Sequence, residues 1–355
     1  MRYWFLPAVI IILGLLSVLT LSSIAPELAS KQLLFFVVGG FSFFAISKLS
    51  WRRITALSPL GYILTVLLLI LTLVISLQTR NTARWINIGG LFALQASQLA
   101  VPLVGLYMST LLAKSRELTF KNIATWLIVV GIPAVLILIE PDLGTTIVYL
   151  ACMATAGLFL HIKTKHIIVL GGVVLVTTLI AWTMVLKPYQ KQRITSFLDP
   201  QADISGASYN SNQAMIAVGS GKFLGRGLGQ GIQSHLRFLP ERQTDFIFAS
   251  IAEEFGFLGS ALIILVYFAL ILFLLRTART TQFASTQFYI YMVAAQILLQ
   301  TFVNIGMNMG VLPITGITLP LLSYGGSSVI TLAATLGLLQ ADIATQKKEL
   351  TLQLS

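Results

Sequence analysis

Charge is scarce in this chain. Of 355 residues only 10% are Asp, Glu, Lys or Arg, while 56% are hydrophobic and the mean hydropathy is +0.89. A soluble domain needs a charged surface, so this balance excludes one and indicates a polytopic membrane protein. Cysteine occurs once, as Cys152 in an apolar run, which excludes an intrachain disulfide. Histidine occurs three times. His161 and His166 fall together on one side of the apolar spans and His235 stands alone in a loop, so no Ser–His–Asp constellation is available. The net charge of +11 does not point to nucleic acid, because the cations are dispersed among hydrophobic spans instead of gathered on one soluble face.

What is present is apolar. Windows of about 20 residues predict an all-α polytopic membrane protein with about ten transmembrane helices. The spans are 4–24, 33–49, 60–77, 96–113, 122–139, 142–160, 166–186, 246–275, 286–306 and 326–341, in a single domain over 1–355. A long extracytoplasmic loop, 187–245, joins helices 7 and 8. The run from Trp4 to Ile24 lacks a small-residue cleavage site and is read as the first span, not a signal. Short loops on the amino-terminal side carry Arg2, Lys48, Arg52, Arg53, Lys114, Arg116, Lys121, Lys163, Lys165, Arg276, Arg279, Lys347 and Lys348. The opposite short loops carry only Lys31, Arg80 and Arg84. Both termini are therefore expected in the cytoplasm.

The acids distribute the other way. Glu27, Glu140, Asp142, Asp199, Asp203, Glu241 and Asp245 fall on the outer side, and Glu117, Asp342 and Glu349 inside. Carboxylates contribute little to topology, so this bias reads as chemistry at an extracytoplasmic face. Asp245 is the last charge before Phe246, Ile247 and Phe248, where water gives way to hydrocarbon. Glu253 and Glu254 follow inside the span, about 12–13 Å below it at roughly 1.5 Å rise per residue. Carboxylates at that depth need a partner or a wet cavity, which makes a functional site the preferred reading over an interfacial helix cap.

Other outer segments add candidates. Arg84 and Trp85 in TRNTARWINIGGLFALQ read equally well as an aromatic interfacial anchor or as a cation and a flat surface for an anionic sugar lipid. In Glu140-Pro141-Asp142, Asp142 is read first as a helix N-cap, whereas Glu140 has no comparable structural reason. The Gly-rich run after Met215–Val218 is read as a folded element near headgroups, lying on or dipping into the leaflet. Asn308–Ser328 is read as an irregular loop at membrane level, buried in protein or lining a cavity.

The segments NTARWI, EPDLGT, YQKQR with TSFLDP, GSGKFLGRGLGQGIQSHLRFLPERQTDFIFASIAEEFGFLG and LPITGITLPLLSYGGSS occur in this order on this topology. They resemble the SEDS proteins (shape, elongation, division and sporulation), and more the rod-shape branch than the division branch. The resemblance runs from about Arg80 to the last span. Two positions depart from the family pattern: Glu140, where Gln-Pro-Asp is usual, and Thr318, where Pro is common. The resemblance implies a peptidoglycan glycosyltransferase in the bacterial cytoplasmic membrane that polymerises lipid II for cell-wall elongation and cell shape. It also implies a class B penicillin-binding protein as transpeptidase partner, alongside other elongation-complex proteins. The family's essential aspartate, in TDF, falls on Asp245, and its RW tryptophan on Trp85.

The expected chemistry is inverting transfer with undecaprenyl diphosphate leaving. Asp245 would act as general base or as ligand of a divalent cation, Mg or Mn, with no further metal ligand assigned. Arg84, Arg193 and Arg242 are candidates for the diphosphate, and Trp85 for a sugar or the lipid head. Glu241, Glu140 and Asp142 complete the candidate substrate-binding set, with Tyr209, Asn210, Asn212 and Gln213 for sugar or peptide groups. Two other readings stand beside this one. A lipid II flippase would use Glu253, Glu254, Gln296, Gln300 and Asn304 as a path. A scaffold recruiting the transpeptidase would leave Asp245 replaceable. The enzyme is preferred, mostly on the resemblance.

Overall fold

A computed structural model describes residues 3–75, 77–79, 82–88, 92–114, 119–157, 172, 182–183, 186–199, 207–281 and 283–354. Apolar runs become helices because in hydrocarbon each backbone group must find its partner within the segment. The long helices are α1 (Phe5–Ile24), α2 (Pro26–Ser47), α4 (Ser58–Ile75), α5 (Ser97–Lys114), α6 (Phe120–Ile139), α7 (Leu143–Gly157), α11 (Ile247–Thr280), α12 (Ala284–Asn308) and α13 (Gly326–Leu354). Short helices are α3 (Trp51–Ala56), α8 (Pro188–Leu198), α9 (Ala207–Ser220) and α10 (Ile232–His235). Among the described residues six helices, α1, α2, α6, α11, α12 and α13, are long and apolar enough to cross a membrane. The span expected at 166–186 lies almost wholly outside the described residues, as do His161, His166 and Asp203.

Packing is tightest where side chains are smallest. Helices α2 and α13 run against each other, and a methyl group at Gly337 would stand 2.8 Å from the Phe43 carbonyl, so the two backbones meet directly. The buried interior joins Leu6 and Leu13 of α1 to Tyr267 of α11, Tyr289 of α12 and Leu336 of α13. Phe41, Val74, Leu127 and Phe268 point outward from the bundle, as lipid-facing side chains do. α2 begins at Pro26, earlier than the expected 33: Pro at the first turn with Glu27 beside it starts the helix, and Gln32 is buried, donating to Ser17 Oγ at 3.0 Å and the Ser323 carbonyl at 3.2 Å.

Two features differ from the expected outline. The Arg84 segment is not a simple loop but a three-stranded antiparallel sheet of β1 (Leu77–Thr79), β2 (Thr82–Ile88) and β3 (Phe92–Leu94), with Leu77 opposite Trp85 and Ile86 opposite Leu94. The second is a break in α11 at Gly256 (φ 65, ψ −160). Glu253 and Glu254 lie before this break, and the Gly-rich loop folds over them. Glu253 accepts from the Gln233 and Ser234 amides at 2.9 and 3.1 Å and from Ser234 Oγ at 2.8 Å. Glu254 accepts from the Gly229 amide at 3.1 Å and Ser23 Oγ, and pairs with His235 Nε2 at 3.2 Å. These acids therefore staple the loop to α11 and α1, Glu253 through both oxygens and Glu254 through Oε1.

Candidate active site

Asp245 sits at the end of a turn. The Glu241 carbonyl receives the amides of Thr244, Asp245 and Phe246 at 3.0–3.3 Å, and its carboxylate takes Thr244 Oγ1 at 3.2 Å and Gln243 Nε2 at 3.4 Å. Glu241 thus shapes the turn that presents Asp245. From behind, Asn304 and Asn308, one helical turn apart on α12, each donate a side-chain amide to the Asp245 carbonyl at 3.0 Å. Ser323 Oγ donates to the Thr244 carbonyl at 2.6 Å, and the Tyr324 amide to the Gln243 carbonyl at 2.8 Å. The backbone of 243–245 is thereby fixed from two elements while the Asp245 side chain stays half-buried. A methyl group at Gly316 would lie 3.6 Å from Asp245 Oδ2, so the carboxylate looks onto the 315–316 backbone.

That backbone is also one wall of a cleft of about 520 Å³, bounded by Arg84, Tyr189, Gln190, Arg193, Pro313 and Thr315. The cleft continues past Arg193 and Pro313 into a second cavity of about 440 Å³ that includes Ser196, Ser211 and Asn212. Arg193 separates the two, half-buried, with its guanidinium 6.0 Å from the Tyr189 ring centre.

The Glu140–Asp142 turn forms the base of the cleft. Arg84 on β2 reaches across to it: Nε donates to the Glu140 carbonyl at 3.4 Å, Nη2 to the Pro141 carbonyl, and Nη1 lies 3.6 Å from Asp142 Oδ1. Tyr189 and Gln190 of α8 donate to the same Pro141 carbonyl at 3.5 and 3.4 Å. Asp142 is the helix N-cap that the sequence favoured. Its Oδ1 caps α7 through the Thr145 amide at 3.3 Å, and its Oδ2 accepts from Gln95 Nε2 at 3.0 Å. The Glu140 side chain is fully buried with neither oxygen hydrogen-bonded among the described residues. Burial first and the Asp142 charge second push its carboxyl up to about 8, against the pull of Arg84.

The other candidates scatter. Trp85 follows Arg84 in the strand, so alternation turns it to the opposite face of β2. Arg242 donates Nε and Nη2 to the Ile24 carbonyl at 3.0 and 2.9 Å, clamping the end of α1. Burial and the neighbouring Arg237 hold its pKa below the usual arginine range. Asn212 reaches the second cavity, whereas Tyr209, Asn210 and Gln213 are half-buried elsewhere on α9. Sequence reasoning missed Asn308, Tyr189 and Gln190. The signal for Asn308 was present: two asparagines spaced by four on one helix share a face.

Among the described residues no group of three or more His, Cys, Asp or Glu side chains is placed to hold a metal ion. Asp245 by itself matches the way Mg²⁺ is commonly held, through one carboxylate together with substrate phosphates and water.

The FtsW/RodA/SpoVE family of cell cycle proteins matches residues 1–349. A probable peptidoglycan glycosyltransferase, FtsW of Nitrosococcus halophilus (strain Nc4), is 37% identical over 328 residues, covering 89% of this chain and 83% of that protein. The peptidoglycan glycosyltransferase MrdB of Escherichia coli (strain K12) is 37% identical over 303 residues, covering 82% and 79%. Among solved structures, a chain from work on the structural coordination of polymerization and crosslinking by a peptidoglycan synthase complex superposes with a TM-score of 0.81 at 29% identity, covering 95% of this chain and 96% of that one. The rod shape determining protein RodA of Thermus thermophilus superposes at 0.71 with 25% identity, covering 95% of each. With a match across nearly its whole length, an integral membrane bundle and the TDF aspartate held at its loop-bearing end, this chain belongs to the FtsW/RodA/SpoVE family.

Proposed function

We propose that the chain is a peptidoglycan glycosyltransferase that polymerises lipid II into glycan strands, with Asp245 as its general base. The observation that carries this reading is the fixed Asp245 backbone, tied to Asn304 and Asn308, with its carboxylate facing the wall of an arginine-lined cleft. A growing strand is extended when a sugar hydroxyl attacks the anomeric carbon of a lipid-linked donor. The new C–O bond forms as the bond to the undecaprenyl diphosphate breaks, and the hydroxyl proton passes to Asp245. One base and a direct displacement invert the anomeric configuration without a covalent intermediate.

Developing diphosphate charge requires fixed cations. Arg193 lines both cavities, which supports it as the residue that contacts this charge. Arg84 spends its donors on the 140–142 turn and acts as a positioning residue for the cleft floor. Arg242 is similarly committed to α1. In the alternative role, Asp245 would hold a divalent cation, which would supply charge neutralisation for the leaving group.

The asymmetry of Lys and Arg supports a placement in the cytoplasmic membrane with both termini in the cytoplasm and the cleft outside. A class B penicillin-binding protein is the partner this activity calls for, since the strands must be crosslinked. Against the flippase reading, three of its five path residues are engaged: Glu253 and one Glu254 oxygen by the Gly-rich loop, and Asn304 by Asp245.

The test is polymerisation of labelled lipid II by the purified chain with its cognate penicillin-binding protein, native against Asp245→Asn in the same detergent. Removing a general base lowers turnover about 10²–10⁴-fold. Equal strand synthesis by a folded Asp245→Asn protein would move the base elsewhere. Absence of synthesis by both, with lipid II crossing liposomes, would replace the enzyme with a transporter.

A further inference from the structure

The end of the bundle opposite Asp245 holds a second polar cavity, about 780 Å³, between α3, α4, α5 and α12. Its polar lining is Arg52, Thr55, Ser58, Tyr107, Thr110, Lys114 and Ser285, two cations and five hydroxyls with no carboxylate. Among the described residues neither Arg52 nor Lys114 has an acidic partner. Helix α5 runs from Ser97 to Lys114, so this cavity lies about 25 Å along the bundle from the sheet that carries Arg84, at roughly 1.5 Å per residue. It is therefore separate from the cleft.

The cavity has an apolar neighbour. A groove of about 1100 Å³, walled by Leu60, Leu64, Leu99 and Leu103, shares Ser58 with it. Ser58 is itself buried, donating to the Thr55 carbonyl at 2.7 Å and lying 3.3 Å from Thr110 Oγ1. A cationic, hydroxyl-rich chamber at the membrane boundary that abuts an apolar groove matches one class of molecule: a polar anion carrying an apolar chain. Cations at the ends of apolar helices attract anionic lipid headgroups at this level of the bilayer. We propose that this chamber binds an anionic glycerophospholipid, its phosphate diester on Arg52 and Lys114, its headgroup hydroxyls on the threonine and serine side chains, and one acyl chain along the groove. The lipid would brace α4 against α5, the two helices that lead from this chamber to the sheet and Gln95 at the cleft.

The test uses the full chain, delipidated in a neutral detergent, with its thermal midpoint followed as lipid is added. Dioleoyl phosphatidylglycerol is expected to raise the midpoint by several degrees, dioleoyl phosphatidylcholine and water-soluble glycerol phosphate not. Paired Arg52→Gln and Lys114→Gln should lose that shift while matching the native midpoint in phosphatidylcholine. Paired Arg276→Gln and Arg279→Gln, which remove equal charge outside the cavity, should keep it. Three results would overturn the proposal: equal shifts from both lipids, a shift from glycerol phosphate alone, or equal losses in the two charge-removed pairs. If the first pair does not fold, native mass spectrometry of the native chain decides. Retention of phosphatidylglycerol over phosphatidylcholine at a fixed stoichiometry supports the site, and indiscriminate retention removes it.

Discussion

Asn304 holds Asp245 by its backbone: the asparagine amide donates at 3.0 Å to the Asp245 carbonyl and at 2.8 Å to the Ile317 carbonyl, bridging the turn before α11 to the loop before α13. The proposed base is thus positioned by a transmembrane helix and not by the loop in which it lies. Sites built on rigid elements hold their geometry better than sites on loops, and small misplacements at a reacting centre carry large rate penalties.

Asn304→Leu is therefore expected to lower polymerisation at least about tenfold, chiefly in kcat, with a stability loss of roughly 1–3 kcal/mol from the unmet Ile317 carbonyl, the Asp245 carbonyl keeping its bond from Asn308. Single-turnover assays on the folded variant, with its thermal midpoint, separate the two effects. An unchanged kcat would mean that the Asp245 backbone needs no anchor beyond Asn308.

Glu140 predicts an unusual pH profile. Its carboxyl is raised from an ordinary value near 4.5 to about 8, so the folded state binds a proton that the unfolded state releases between those values. Stability from this group is complete below about pH 4.5 and declines as pH rises through about 8. Glu140→Gln removes the titration and keeps the shape. It should stabilise the protein at pH 8 by roughly 3–5 kcal/mol, at about 1.4 kcal/mol per pKa unit. Midpoints measured from pH 5 to 9 should fall for the native chain and stay flatter for the variant. Parallel curves would place the Glu140 charge in water.

The spans within the described residues were legible because hydrocarbon leaves the backbone few alternatives to a helix. Where the outline failed, the deciding contact was distant in sequence. Gln32 hid the start of α2 because its polarity is satisfied by Ser17 and Ser323, outside any local window. Glu253 and Glu254 read as membrane-depth acids because their partners lie near 229–235 and at Ser23. The break at Gly256 was invisible, since a glycine inside an apolar run is ordinary in a membrane helix. Asp245 was readable from its place at the polar boundary. Its anchoring was not: Asn304 alone looked like a transport path, and only pairing with Asn308 across one turn gives it another meaning.

Arg84 should resist conservative replacement. Its three nitrogens reach two carbonyls and a carboxylate in one plane, which a lysine ammonium cannot reproduce. Arg84→Lys is expected to lose most polymerisation, more than about tenfold, nearly as much as Arg84→Ala. Near-native activity in Arg84→Lys would show that charge near Asp142 suffices. Lipid II affinity should change less than kcat, because the role assigned to Arg84 is to hold the cleft floor and not to touch the diphosphate.

Two glycines in one loop separate close approach from backbone strain. Gly225 has φ +85 and Gly229 φ +79, so a side chain at either meets a similar left-handed penalty of about 1–2 kcal/mol. Their surroundings differ. A methyl group at Gly225 would stand 2.1 Å from the Glu254 carbonyl and 2.7 Å from the Gly256 amide, while nothing lies within 4 Å of one at Gly229. The Gly225 site is where the loop crosses the break in α11, joined there by Arg226 and Gly227 amides on the Glu253 and Glu254 carbonyls at 2.9 and 3.0 Å. Gly229→Ala should therefore cost only the backbone penalty, and Gly225→Ala more than about 3 kcal/mol, with the clash forcing loop and helix apart. Thermal midpoints of the two variants in one detergent decide it. Equal losses would mean that loop and helix can separate freely, and that the Glu253 and Glu254 bonds do not hold α11 in its broken form.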